Sequence, residues 1–249
     1  DAGYLMFCFF STLAAILMIW GLTELFMKNE TEKGAFIQAS YRSSAAILGL
    51  AFIDNMYDGA GMAPLMILGA VPLFNIFAVI ILTLKGQNKD QKPDVRTTIK
   101  NIFKNPILLG ILLALPFAFS GIHFPAFVNR SLNYLADTAS PLALLSIGAG
   151  FEGRKAFRKR KLTVLATLIK LFGICSLFLP VAVFLGYRSQ ELMGILIMLG
   201  SPATVSCYIM AKNMGHEGVL TSGTVVATTF FSSVSLTFWI FVLKYIGAI

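Results

Sequence analysis

The sequence predicts an all-α polytopic membrane protein, and three observations predict it. First, 57% of the 249 residues are hydrophobic and 13% are charged, whereas a soluble domain carries about 25% charge. The mean hydropathy is +0.77. Second, the apolar residues come in long runs, the pattern of spanning helices and not the alternation of a β-barrel. Third, the basic residues behind the net charge of +8 lie between these runs. They therefore read as topology signals and not as a nucleic-acid footprint. The lipid bilayer is the expected surrounding. Cys8, Cys175 and Cys207 sit inside apolar runs at no metal-like spacing, so they read as packing residues and no metal or cofactor is expected.

Eight hydrophobic segments follow in order: Tyr4–Met27, Ala39–Ile53, Ala60–Leu84, Pro106–Gly121, Phe127–Phe151, Leu162–Gly186, Glu191–Ala211 and Val219–Ile246. A spanning helix takes about 20 residues, and the second and fourth fall short of that. The loop after the third segment carries Lys85, Lys89, Lys92, Arg96, Lys100 and Lys104; the loop after the fifth carries Arg154, Lys155, Arg158, Lys159, Arg160 and Lys161. Both are expected on the cytoplasmic side of the plasma membrane, with the C-terminus outside. Lys28 and Lys33 after the first segment, and Lys212 after the seventh, agree with that topology. In the long basic loop, VRTTIKNIFKN places Ile99, Ile102 and Phe103 on one helical face. Two readings stand there, a short helix on the inner leaflet and a solvated linker.

Two segments are irregular. The second begins with the polar residues Ser40, Arg42, Ser43 and Ser44; the seventh carries Gly200, Ser201 and Pro202 at its middle. They are five segments apart. An odd repeat of five implies two copies of opposite orientation, a 5+5 inverted repeat. The fourth and fifth segments then lack partners, and two helices, about 50–60 residues with their loops, are expected before Asp1.

Pro202 removes a backbone donor and clashes with the preceding turn. Broken backbone at membrane depth is tolerated where it is buried in protein or lines a cavity. If two broken helices cross there, their half-helix N-termini direct partial positive charge at one place. The hydroxyls of Ser201, Thr204 and Ser206 add donors, and Gly200 and Ala203 let two backbones approach closely. That arrangement suits a carboxylate. An ordinary proline kink is the competing reading.

At these residues the chain resembles the auxin efflux carrier family in its bacterial form. The resemblance is carried by GSPATVSCYIMAKNMG (200–215), SPLALLSIGAGF (140–151), KNPILLGILLAL (104–115) and YRSSAAILGLAF (41–52). It implies ten helices in two inverted five-helix repeats, with crossing broken helices fourth and ninth, of which eight helices are present here. It implies a transport domain made of 1–84 and 162–249, a scaffold part at 106–151 that often mediates homodimer contacts, and basic cytoplasmic linkers at 85–105 and 152–161. It also implies export or exchange of small organic anions such as malate, malonate or auxin-like carboxylates, without ATP. Sodium-coupled carriers of the bile-acid type have a similar fold. Where the family's first crossover carries Asn, Gly and often Pro, this chain has Ser43, Ser44, Ala45, Ala46 and Ala51.

Charged groups inside the segments are functional candidates by default. Lys170 attracts the anion or switches ion pairs during transport, or else snorkels to the interface. Arg42 draws anions inward or snorkels. Asp137 takes up a driving proton if burial raises its pKa, or else it caps a local break near Pro141. Asn75 contacts the crossover or bonds a neighbouring helix. Coupling to a proton or to sodium stays open at this stage. Two histidines and the absence of HExxH, CxxC, Walker and GxSxG patterns argue against an enzyme. A channel would favour pore-lining repeats or charged rings. A shortened chain without transport is the remaining alternative.

Overall fold

The computed structural model describes residues 2–46, 50–57, 61–85, 109–110, 113–114, 116–117, 120, 124–149 and 153–249. The helices in chain order are α1 (Ala2–Phe26), α2 (Glu30–Tyr41), α3 (Leu50–Tyr57), α4 (Ala63–Leu84), α5 (Ala126–Ala149), α6 (Gly153–Arg158), α7 (Arg160–Phe184), α8 (Ser189–Gly200), α9 (Val205–Asn213) and α10 (Val219–Tyr245). No strand occurs among the described residues. Five helical stretches are long and apolar enough to cross a membrane: α1, α4, α7, α8 with α9, and α10. They coincide with the first, third, sixth, seventh and eighth hydrophobic segments. The fifth forms α5, which is long enough but is not among those five. The helix expected within 95–105 and most of the fourth segment lie outside the described residues.

The inward faces of these helices differ from the outward ones by size more than by polarity. On α1, Tyr4, Cys8, Ser11, Thr12, Ala15, Ile16, Ile19 and Thr23 are buried, at the three-to-four-residue spacing of one helical face. Phe9, Phe10, Leu17, Leu22, Leu25 and Phe26 point away from the core. On α10, Thr221, Thr224, Thr228, Ser232 and Ser235 are buried, while Phe230, Phe231, Val234, Phe238 and Phe241 are exposed. In lipid there is no hydrophobic gain from hiding a large apolar side chain, so small and hydroxyl residues take the helix contacts and large ones face the acyl chains. α1 and α4 illustrate the close approach: a Cβ on Gly69 would lie 2.9 Å from Cys8 Cβ and 3.1 Å from the Leu5 carbonyl.

α8 is the central element. Every residue from Leu192 to Gly200 is buried, among α1, α3, α4, α7 and α10. α7 is interrupted by one π-helical turn, Ile169–Gly173. The indole N–H of Trp239 on α10 donates to the Leu171 carbonyl in that turn, at 3.0 Å. α5 stands apart: Ile147 is its buried hydrophobic residue, packed with Ala203, Cys207 and Tyr208.

One expected boundary is corrected. The second segment does not begin at Ala39, because α2 starts at Glu30 and buries Glu32 and Lys33. Ion pairing explains how a charged stretch becomes an interior helix. Lys33 pairs with Glu24 at 2.8 Å and Glu30 at 2.6 Å, Lys85 pairs with Glu24 at 2.5 Å, and Lys159 pairs with Glu32 at 2.5 Å. Lys159 also pairs with Glu217. These long-range partners join α1, α2, α4, α7 and the α9–α10 turn at one end of the molecule, and buried charges need such partners. The Glu217 carboxyl is held below its ordinary pKa by the Lys159 hydrogen bond. The Lys159 ammonium is lowered by burial but raised more by Glu217 and Glu32, for a net upward shift.

Candidate functional site at the two breaks

Both irregular segments are broken helices, and their breaks touch. After α2 the backbone turns extended at Arg42 (φ −72°, ψ 124°). After α8 it is extended at Ser201 (φ −67°, ψ 156°) and at Thr204 (φ −71°, ψ 146°) before α9 begins. The Ser44 N–H donates to the Pro202 carbonyl at 2.9 Å, a backbone bond from one break to the other. Each break frees backbone groups that lipid cannot satisfy, so their partners are informative.

The partners come from five helices. The Ala203 N–H donates to Thr228 Oγ1 of α10 at 3.0 Å. Gln38 Nε2 of α2 donates to the Cys207 carbonyl at 3.4 Å. The Leu199 carbonyl, in the last turn of α8, accepts the Lys170 ammonium from the π turn of α7. Arg42 donates through Nη2 to Asn75 Oδ1 at 2.5 Å and to Ser206 Oγ at 3.3 Å, with the Met210 sulfur against Nη1. Asn75 is held ready for this by its own Nδ2, which donates to the Val71 carbonyl at 3.1 Å. Thr204 Oγ1 and Ser206 Oγ are 3.1 Å apart.

Two features remain unbalanced. Lys170 is fully buried and Arg42 is 4% exposed, yet neither forms an ion pair with a carboxylate among the described residues. Burying an uncompensated charge costs several kcal/mol. In addition, the hydroxyls of Ser43 and Ser201, one from each break, and Gln38 Oε1 are buried without a hydrogen-bond partner among the described residues. The region thus holds excess positive charge, two spare hydroxyl donors and one spare acceptor, Gln38 Oε1. Beside Leu199 a void of about 10 Å³, lined by residues including Thr12, Tyr41, Phe74 and Met198, leaves no room for a ligand, while Ser44, Thr204 and Ser206 at the breaks are half-buried. A larger, open cavity of about 560 Å³ lies at the ion-paired end, lined by Thr31, Glu32, Lys155, Arg158, Lys159 and Glu217.

Of the residues singled out from sequence, Arg42, Ser43, Ser44, Asn75, Lys170, Gly200, Ser201, Pro202, Ala203, Thr204 and Ser206 lie at or beside the meeting of the breaks. Asp137 does not. It is exposed on α5, ten residues and about 15 Å of helix rise before Ile147. Thr228 and Gln38 belong to the site and were not singled out. Their signal was the hydroxyl stripe of α10 and the one-turn spacing from Gln38 to Arg42. Replacing Thr228 by valine keeps the shape and removes the acceptor of the Ala203 N–H, at a cost of about 1–3 kcal/mol. Thermal unfolding in detergent is expected to show that loss for Thr228→Val and little for Thr228→Ser.

Comparison with known proteins agrees with this architecture. The chain is 20% identical over 218 residues to an uncharacterised transporter of Methanocaldococcus jannaschii, covering 86% of this chain and 70% of the relative. The family described as membrane transport protein matches residues 3–240. With nearly the whole chain matched, and two broken helices joined at their breaks in a multi-pass helical fold, this protein belongs to the membrane transport protein family, that of the auxin efflux carriers.

Proposed function

We propose that this membrane transporter is a secondary carrier of small organic anions such as carboxylates, working by alternating access around the two breaks. One observation carries the reading. Two buried cations, Arg42 and Lys170, approach the breaks without a carboxylate partner, beside the unpartnered hydroxyls of Ser43 and Ser201. A bound carboxylate would supply the missing negative charge and accept from those hydroxyls. The N-terminus of α9 adds favourable partial charge. Arg42, Ser43, Lys170 and Ser201 are all buried, none more than 5% exposed. Access therefore requires movement, which favours a carrier over an open channel.

An inverted-repeat layout is consistent with two broken helices five segments apart. The division into a transport part and a scaffold part draws support from α5, which stays exposed along most of its length while the other long helices pack together. The basic loops are placed in the cytoplasm on charge alone.

The test is thermal stabilisation of the purified chain in detergent by a panel of small carboxylates, with and without sodium and at two pH values. One carboxylate is expected to raise the melting temperature, and Pro202→Ala and Lys170→Ala are each expected to lose that response. Sodium dependence would identify the coupling ion. Folded protein that no carboxylate stabilises would overturn the anion reading.

A further inference from the structure

His216 has no part in the site at the breaks, yet its geometry is unusual. It follows α9 as part of the helix stop. Gly215 adopts φ +82°, its N–H bonds the Lys212 carbonyl at 3.1 Å, and the His216 N–H bonds the Ala211 carbonyl at 2.9 Å. This is the Schellman arrangement, in which the left-handed residue is normally glycine. The imidazole is 3% exposed. Its Nε2 lies 3.1 Å from the Leu82 carbonyl, in the last turn of α4. A carbonyl only accepts, so Nε2 carries the hydrogen and Nδ1 is a bare acceptor. Nδ1 is buried and has no partner among the described residues. The ring edge also presses on α2 at Gly34, where a Cβ would come 3.2 Å from His216 Cε1 and 3.1 Å from Lys85 Cβ.

One ring therefore sits in the seam between α4 and both broken helices, α2 from the first and α9 from the second. We propose that His216 is a proton-binding site whose occupancy loosens this seam. A proton added at Nδ1 creates an N–H with no acceptor in the closed seam. The ring must then turn, giving up the Leu82 carbonyl, or the helices must part to let water reach it. Either response acts on both broken helices at once, which is what proton control of a carrier needs.

Other charged groups surround the seam. On α2 they are Glu30, Glu32 and Lys33; at the end of α4, Lys85; on α1, Glu24; beside His216, Lys212 and Glu217; on α6, Lys155; and just before α7, Lys159. The acids here are ion-paired: Glu24 and Glu30 with Lys33 and Lys85, and Glu32 and Glu217 with Lys159. Glu217 is held below its ordinary range and Lys159 above its own, so neither changes charge between pH 7.5 and 5.

Burial lowers the His216 pKa, only partly offset by the Leu82 carbonyl and the charge of Glu32. The unfolded chain thus binds this proton more readily than the folded one. The stability owed to neutral His216 is fully present above the unfolded value of about 6.5. It is lost as pH falls through the lower, folded value.

The experiment follows the melting temperature of the full chain in detergent, without added anion, from pH 7.5 to 5.0. His216→Gln is the comparison, since its amide can still donate to Leu82 and does not titrate. The wild type is expected to lose about 2–4 °C more than the variant; equal losses would overturn the proposal. Should the variant not fold, hydrogen exchange of the wild type decides. Corrected for intrinsic rate, exchange in 81–85 and 210–218 is expected to accelerate below pH 6.5 while α8 stays protected. Protection in those segments that does not change with pH would overturn it. Neither readout uses a substrate, so failure here is distinct from failure of the anion reading.

Discussion

Arg42→Met is expected to weaken carboxylate binding by about 30- to 150-fold without unfolding the ligand-free protein. The two halves of that expectation have separate causes. A hydrogen bond from a charged donor to a carboxylate contributes about 2–3 kcal/mol, and each 1.4 kcal/mol is tenfold in affinity. The loss falls on the bound state, where the anion compensates the guanidinium. In the ligand-free state Arg42 is a buried cation whose partners are neutral: Asn75 Oδ1, Ser206 Oγ and the Met210 sulfur. Replacing a buried charge with an apolar side chain of similar volume is often neutral or stabilising, by about 1–4 kcal/mol. Against this stands about 1–3 kcal/mol for leaving Asn75 Oδ1 unpaired. The two nearly cancel, so the melting temperature without ligand should change little. Anion titrations followed by melting temperature test both halves. A variant that melts far lower yet still binds the carboxylate would make Arg42 a structural residue.

The same reasoning explains why a transporter tolerates such residues. Charge and donors that are unbalanced without a ligand are a cost carried for binding, and sites of this kind trade stability for function. Lys170 differs from Arg42 in what holds it. Its ammonium is placed on the Leu199 carbonyl by a π turn, and such turns often occur at functional sites. The negative end of the α8 dipole lies at that carbonyl, where a cation is favoured. Lys170 therefore has a structural reason for its place as well as a functional one, and the alanine variant alone does not separate them. Arg42 gives the cleaner test.

Much of this was legible in the sequence for local reasons. Gly200, Ser201 and Pro202 together mark a break where Pro72, Pro141 and Pro180, each inside a helix, do not, and the five long apolar runs form helices long enough to cross a membrane. The first break was legible only through the polarity of Arg42, Ser43 and Ser44, and its upstream boundary was not. Residues Glu30, Glu32 and Lys33 read as a loop because charge in a short stretch ordinarily means solvent. Their partners, Glu24, Lys85 and Lys159, come from three other elements, and no local pattern announces such pairing. Asp137 reads from sequence as a proton site if buried, or else as a cap of a local break; α5 leaves it exposed. Thr228 stands in a visible hydroxyl stripe, but its role is hidden for the opposite reason. Hydroxyls on membrane helices commonly bond their own helix, as Thr224 and Ser235 do here. Only the three-dimensional approach of Ala203 gives Thr228 a second task.

Gly200→Ala is expected to destabilise the protein, and Cys175→Ala is expected to restore most of that loss. A Cβ on Gly200 would lie 2.7 Å from Cys175 Sγ, 3.5 Å from Leu196 Cδ1 and 3.8 Å from Leu236 Cδ2. The first of these is an overlap. Cys175 is fully buried on α7, just beyond the π turn, so its sulfur has nowhere to retreat. Overpacking of this kind costs about 1–3 kcal/mol, more than the roughly 0.4–1 kcal/mol that Gly→Ala gains by restricting the unfolded chain. Removing the sulfur opens the space the new methyl needs. The double variant should therefore be more stable than the sum of the single changes predicts, by about 1 kcal/mol or more. The contact also bears on binding. Leu199, whose carbonyl holds Lys170, is adjacent to Gly200, and pushing α8 away from α7 stretches that bond. Gly200→Ala should then lose carboxylate response as well as stability, and the double variant should regain both. Strictly additive melting temperatures would mean that α7 and α8 do not meet at Gly200 and Cys175, and the placement of Lys170 against the break would fall with that contact.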